Sequence, residues 1–135
     1  MDTARVTYQN ELRTEALHPR SGQVIITDAP VDNKGKGSAF SPTDLLATAL
    51  ATCIITTIAI RFEAKGYRVP AMRAGVVKHM ASDPRRVSQV EIQLWVKDDA
   101  LDAAQKALIE RTAHDCPVAL SLHPDLLQQI TITYG

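Results

Sequence analysis

The sequence predicts an α+β fold. Three observations carry that reading. The stretch "VSQVEIQLWV" alternates apolar and polar residues as a half-buried strand does. The stretch from Pro42 is almost free of charge and lies between a helix-start and a helix-stop signal. The elements run β-β-β-α-β-β-α-α-β, with strands and helices grouped, which argues for α+β rather than a parallel sheet.

The 135 residues are most simply one domain, 1–135, long enough to build a core without disulfide staples. Lysine plus arginine and aspartate plus glutamate both total 15, so the formal charge is zero. Such a balance gives no support to nucleic acid or an anionic membrane as partner. The N-terminus, "MDTARVTYQNELRTEA", is polar and has no apolar leader. The expectation is a cytoplasmic protein whose cysteines rest as thiols.

Residues 4–17 and 23–28 are rich in Val, Thr, Ile and Tyr and flank the turn "HPRSG", the pattern of a β-hairpin. The segment that follows, "APVDNKGKGSAFSP", has too much Pro and Gly for regular structure and is the longest loop; long loops in small domains are often functional. Ser41 then suits an N-cap, Pro42 the first helical position and Asp44 the third, where a carboxylate reaches back to the cap. The helix should run to about Lys65 and stop at Gly66. Beyond it, "YRVPAMRAGVVKHM" is a strand with a bulge, an edge or a late start at Pro70. "SDPRR" turns into the alternating strand, with Val90, Ile92, Leu94 and Val96 on one face. "DDALDAAQKALIERTAHDC" is an amphipathic helix with Leu101, Ala104, Leu108 and Thr112 along one side. "CPVALSL" starts a short helix with Pro117 at its first position, and "ITITY" closes the chain as a strand.

The uncharged run Leu45–Ile60 is shorter than the roughly 20 residues of a membrane span and contains four threonines, so a buried helix is expected. Its first turns are apolar on every side, and the small residues Ala47, Ala49 and Ala51 permit close approach by another helix. A small domain can hardly wrap such a helix alone, so a second subunit is expected to cover part of it.

Two cysteines stand out. Cys53 lies in the uncharged helix, where a thiol is ordinarily inert core filling and needs a partner to become reactive. Cys116 precedes Pro117, at a helix start where N–H groups favour a thiolate. No CxxC occurs, and His18, His79, His114 and His123 make no metal-ligand spacing with the cysteines. His114 could act as a base for Cys116, although a histidine at a helix end is more often a surface residue. Arg13 and Arg20, in or beside the first hairpin, could each reach a buried thiolate.

At "SPTDLLATALATC" and "HDCPV" the chain resembles the OsmC/Ohr family, the osmotically inducible protein C and organic hydroperoxide resistance proteins. The resemblance covers nearly the full length: the order of elements, the spacing from Pro42 to Cys53, and a second cysteine in a Cys-Pro-Val turn. It implies an OsmC-like fold with antiparallel sheets around a long central helix, an intertwined homodimer, and active sites at the subunit interface. It also implies a thiol-dependent peroxidase acting on organic hydroperoxides. Cys53 would attack the peroxide, Cys116 would resolve the product into a disulfide, and an arginine, Arg20 in preference to Arg13, would stabilise the thiolate. A lipoyl-type dithiol would serve as reductant, with no bound cofactor.

One position departs from the pattern. Family peroxidases carry a glutamate directly after the helix proline, and this chain has Thr43 there. On a regular helix Thr43 lies about 80° around the axis from Cys53, while the adjacent Asp44 lies about 180° around, so Asp44 is no simple replacement. The substitution favours a second reading: a non-enzymatic module whose cleft holds a small apolar or electrophilic ligand, or a thiol redox sensor.

Overall fold

The computed structural model describes residues 1–135 and follows the expected order of elements. These are β1 (Arg5–Tyr8), β2 (Arg13–Leu17), β3 (Val24–Asp28), α1 (Pro42–Ala64), β4 (Met72–Ala81), β5 (Arg86–Val96), α2 (Ala103–Asp115), α3 (Pro117–Ser121) and β6 (Leu127–Tyr134). The chain forms two compact units, residues 1–46 and 47–135.

In the first unit β1, β2 and β3 make an antiparallel meander in sequence order. The apolar run expected as one arm of a hairpin is broken into β1 and β2 at residues 9–12. Asn10, Glu11 and Leu12 all take positive φ there, at 72°, 53° and 63°. None is glycine and only Asn10 is of a type that favours this conformation, so the turn left a weak signature in the sequence. The loop before α1 is also more ordered than expected, with a 3₁₀ turn at Val31–Asn33. Gly35 packs against the Ala29 carbonyl so closely that a Cβ would lie 1.7 Å from its oxygen, which excludes every other residue. The start of α1 is a capping box: the Asp44 N–H donates to Ser41 Oγ at 3.0 Å, and the Ser41 N–H donates to Asp44 Oδ2 at 3.0 Å.

The second unit holds the core. Along α1 the fully buried side chains are Leu50, Ile54, Ile58 and Phe62, every fourth residue, which makes a single stripe. They join one core cluster with Val90, Ile92, Leu94 and Val96 of β5, the face read from the alternation, and with Leu108, Ile109 and Ala113 of α2. On α2 Leu108 and Thr112 of the expected side are buried, Ile109 and Ala113 are buried beside them, and Ala104 is exposed. The helix is capped by Asp102 and Gln105 in a second capping box.

β4 pairs antiparallel with β5, beginning two residues beyond Pro70. β6 pairs with β5 in parallel, where antiparallel sheets were expected. The sheet is therefore mixed, because α2 and α3 carry the chain back across it before β6 begins.

Gly66 ends α1 at φ 70°. The Gly66 N–H donates to the Glu63 carbonyl at 3.0 Å and the Tyr67 N–H to the Phe62 carbonyl at 2.9 Å. Tyr67 meets the Phe62 ring edge-on at 5.5 Å. This is a Schellman stop with its hydrophobic contact. By length and composition alone, α1 would suffice to cross a membrane. Its core stripe is that of a helix packed within a protein, yet Leu46 and Ile60 on other sides are 41% and 59% exposed. The chain by itself covers one face of α1, not all of them.

Candidate active site

Cys53 lies midway along α1, one position before the fully buried Ile54. It is thus turned off the core stripe and only half-buried. Its sulfur has two polar neighbours. Thr57, one turn on, places its hydroxyl at 3.8 Å, and the backbone N–H of Val118 donates to Sγ at 3.5 Å.

Val118 belongs to α3, and the residue linking α2 to α3 is Cys116. It is the C-cap of one helix and the N-cap of the next, in extended conformation. Its N–H closes α2 on the Thr112 carbonyl and its own carbonyl accepts from Leu120, each at 3.1 Å. The side chain is fully buried. Both cysteines are free thiols, and their sulfurs are near enough that Cys53 opposes ionisation of Cys116. The fold therefore brings together the two thiols singled out in the sequence.

The electrostatic expectation for Cys116 needs correction. Burial pushes its thiol up from the ordinary value; the Ala119 and Val118 N–H groups oppose the rise, and neighbouring Cys53 adds to it. Desolvation outweighs the helix start. Because Pro117 has no N–H, the first amide that α3 offers is that of Val118, and it is directed at Cys53.

Sequence reasoning did not find Arg61, which sits two turns beyond Cys53 on α1. Its Nη1 donates to Thr112 Oγ1 at 3.0 Å and to Asp115 Oδ1 at 2.6 Å. Asp115 directly precedes Cys116. A cation late in an apolar helix and an anion beside a cysteine were each visible in the sequence, but nothing in their spacing paired them. His114 is exposed on α2.

The hairpin arginines lie in the first unit. Arg13 is engaged locally: its Nε and Nη2 reach the two Asp28 oxygens at 2.7 and 3.0 Å, and Nη2 also donates to Ser38 Oγ at 2.9 Å. The Ser38 hydroxyl and N–H both donate to Asp28 Oδ2. Hydrogen bonds from Arg13 and then Ser38 hold the Asp28 carboxyl well below the usual carboxylate range. The trio ties β2, β3 and the long loop together. Arg20 is exposed in the turn between β2 and β3. Thr43 Oγ1 lies 3.2 Å from Ser41 Oγ at the helix cap. No three His, Cys, Asp or Glu side chains converge into a metal-binding group.

The α+β fold built on one long apolar helix is shared with proteins of known structure. A model of the OsmC-like protein family matches residues 35–129. Among solved structures, a candidate osmotic stress induced and detoxification response protein from Psychrobacter arcticus 273-4 is 50% identical. It superposes with a TM-score of 0.91 over 98% of this chain and 96% of its own. The organic hydroperoxide resistance protein OsmC of Legionella pneumophila gives 14% identity and a TM-score of 0.72, over 96% of this chain and 94% of that one. An organic hydroperoxide resistance protein of Elizabethkingia anophelis gives 13% and 0.72, over 100% and 98%. These last two share the fold. A search of curated protein sequences gave no match. The chain belongs to the OsmC-like family.

Proposed function

We propose that the protein is a cysteine-based peroxidase that reduces organic hydroperoxides. The observation that supports this best is the meeting of Cys53 and Cys116, one half-exposed with an N–H donor on its sulfur, the other buried with its thiol pushed up by that burial. Inert core cysteines need no such pairing. Cys53, as thiolate, attacks the distal peroxide oxygen; an S–O bond forms, the O–O bond breaks, and the alkoxide leaves as alcohol with a proton. The Val118 N–H donates more strongly to an anionic sulfur than to a neutral one. The Cys116 sulfur then attacks Cys53, forming S–S and breaking S–O, and hydroxide leaves as water with the Cys116 proton. A lipoyl-type dithiol reopens the disulfide by exchange.

Of the two hairpin arginines, Arg13 is occupied by Asp28, which leaves Arg20 as the group to stabilise the thiolate. A homodimer completes the site. In support, none of the buried apolar residues lies in 1–46, while Val6, Tyr8 and Ile25 there are more than half exposed, as is Ile60 on α1. A second copy would cover these surfaces. The cytoplasm, where both cysteines rest as thiols, is the matching compartment.

The test is consumption of cumene hydroperoxide coupled to dihydrolipoamide. Cys53→Ser should abolish turnover, and Cys116→Ser should stop it after one cycle. Equal turnover by parent and Cys53→Ser would refute the reading. Thr43, where family peroxidases carry glutamate, favours the second reading, a module binding a small apolar or electrophilic ligand. Stoichiometric ligand binding with no turnover by the parent would establish it.

A further inference from the structure

Cys116 stands at a junction that cannot hold its own orientation. It is the one non-helical residue between α2 and α3, and α3 has five residues, far too few for a self-supporting helix. Gln128 of β6 donates to the Ala119 carbonyl of α3 at 2.9 Å, and α1 ties the junction on both sides of Cys116. On one side Arg61 donates to Thr112 and Asp115; on the other the Val118 N–H donates to Cys53. Cys116 lies between these ties, and their anchors on α1 are about 12 Å apart along the helix.

The Arg61 tie is built with some care. Thr112 is fully buried; its hydroxyl donates to the Leu108 carbonyl at 2.7 Å and accepts from Arg61, so the same atom closes α2 internally and binds it to α1. Arg61 also stands at the C-terminal end of α2, where a cation is favoured by the helix dipole. The Arg61 and Asp115 side chains are 33% and 39% exposed, so the pair is screened, and the strength of the tie lies in its geometry as much as its charge.

We propose that Arg61 and Asp115 are a positioning pair that sets the effective concentration of the Cys116 thiol at Cys53. The pair would thereby govern how fast the disulfide closes. This rests on the peroxidase reading for its role in turnover. A Cys53 sulfenic acid has two fates: condensation with Cys116, or reaction with a second hydroperoxide to a sulfinic acid, in which another O–O bond breaks and another alcohol leaves. The pair favours the first.

The experiment measures two quantities on the full chain. The Cys53–Cys116 effective concentration comes from equilibration in glutathione redox buffers. The sulfinic fraction at Cys53 comes from mass spectrometry after cumene hydroperoxide. Asp115→Asn and Arg61→Met should each lower the effective concentration about tenfold and raise the sulfinic fraction in parallel. Arg61→Lys, which keeps the charge, should recover most of the loss. Asp98→Asn, which breaks a comparable ion pair with Lys106 at 3.0 Å, should change neither. Values for Asp115→Asn and Arg61→Met within about twofold of the parent, or a fall equally large in Asp98→Asn, overturn the proposal. Asp115→Asn is isosteric and carries the test alone if Arg61→Met does not fold. A parent that closes its disulfide in glutathione but not with hydroperoxide would sink the peroxidase reading and leave the positioning pair standing.

Discussion

If the two thiols are placed for bonding, oxidation should stabilise the protein strongly. The disulfide between Cys53 and Cys116 would close a loop of about 60 residues. Loop-closure entropy then destabilises the unfolded chain by about 4 kcal/mol at 25 °C. For 135 residues, an unfolding entropy near ~2.1 cal/mol/K per residue converts this into a rise in melting temperature of roughly 10–15 °C. The gain is realised in full only if the folded state need not distort to form the bond. Arg61, Asp115 and the Val118 amide already hold the Cys116 junction to the helix that carries Cys53. The assay is thermal unfolding by circular dichroism of two samples, one fully reduced and one oxidised with a stoichiometric hydroperoxide. Cys116→Ser treated identically is the control and should not shift. An oxidised parent that melts within about 2 °C of the reduced form, or below it, would show that native strain cancels the entropy. That result would refute the inference that the fold presents the sulfurs to each other.

Three further outcomes follow from the packing and the charges. Phe62→Ala removes a fully buried ring from the core stripe and its edge contact with Tyr67; urea unfolding should show a loss of about 3–5 kcal/mol. Asp28 has its carboxyl depressed by Arg13 and Ser38, so the folded state binds that proton less tightly than the unfolded chain. Its contribution is complete at neutral pH and is lost as pH falls below about 4, so Asp28→Asn should flatten the acid limb of a stability–pH curve. Cys116 has its thiol raised by burial, the opposite sign. Its contribution is complete below about pH 8.5 and is lost as pH rises further, so the reduced parent should weaken there and Cys116→Ala should lose that slope.

The parts of the fold that were legible in the sequence are those specified locally. Ser41 and Asp44 cap α1, Gly66 stops it, and Val90 to Val96 show their buried face by alternation, because each signal acts within a few residues. The position of the break between β1 and β2 was hidden, since Asn10, Glu11 and Leu12 adopt positive φ without glycine. The parallel pairing of β6 on β5 was hidden because it depends on where α2 and α3 return the chain. At the site, the two cysteines were identifiable by type and neighbours. Their environments were not: the helix start lowers the Cys116 thiol less than burial raises it, and its Val118 amide also donates to Cys53. Arg61 and Asp115 belong to segments far apart in sequence, and Arg13 gave no sign that Asp28 would engage it. Such pairs become visible only when the chain is folded.

The most direct measurement is peptide mapping by mass spectrometry after the reduced protein meets one equivalent of cumene hydroperoxide. A Cys53–Cys116 cross-linked peptide, formed within the time of peroxide loss and absent in Cys53→Ser, is the expected result. Peroxide that persists while both cysteines remain free thiols would contradict it.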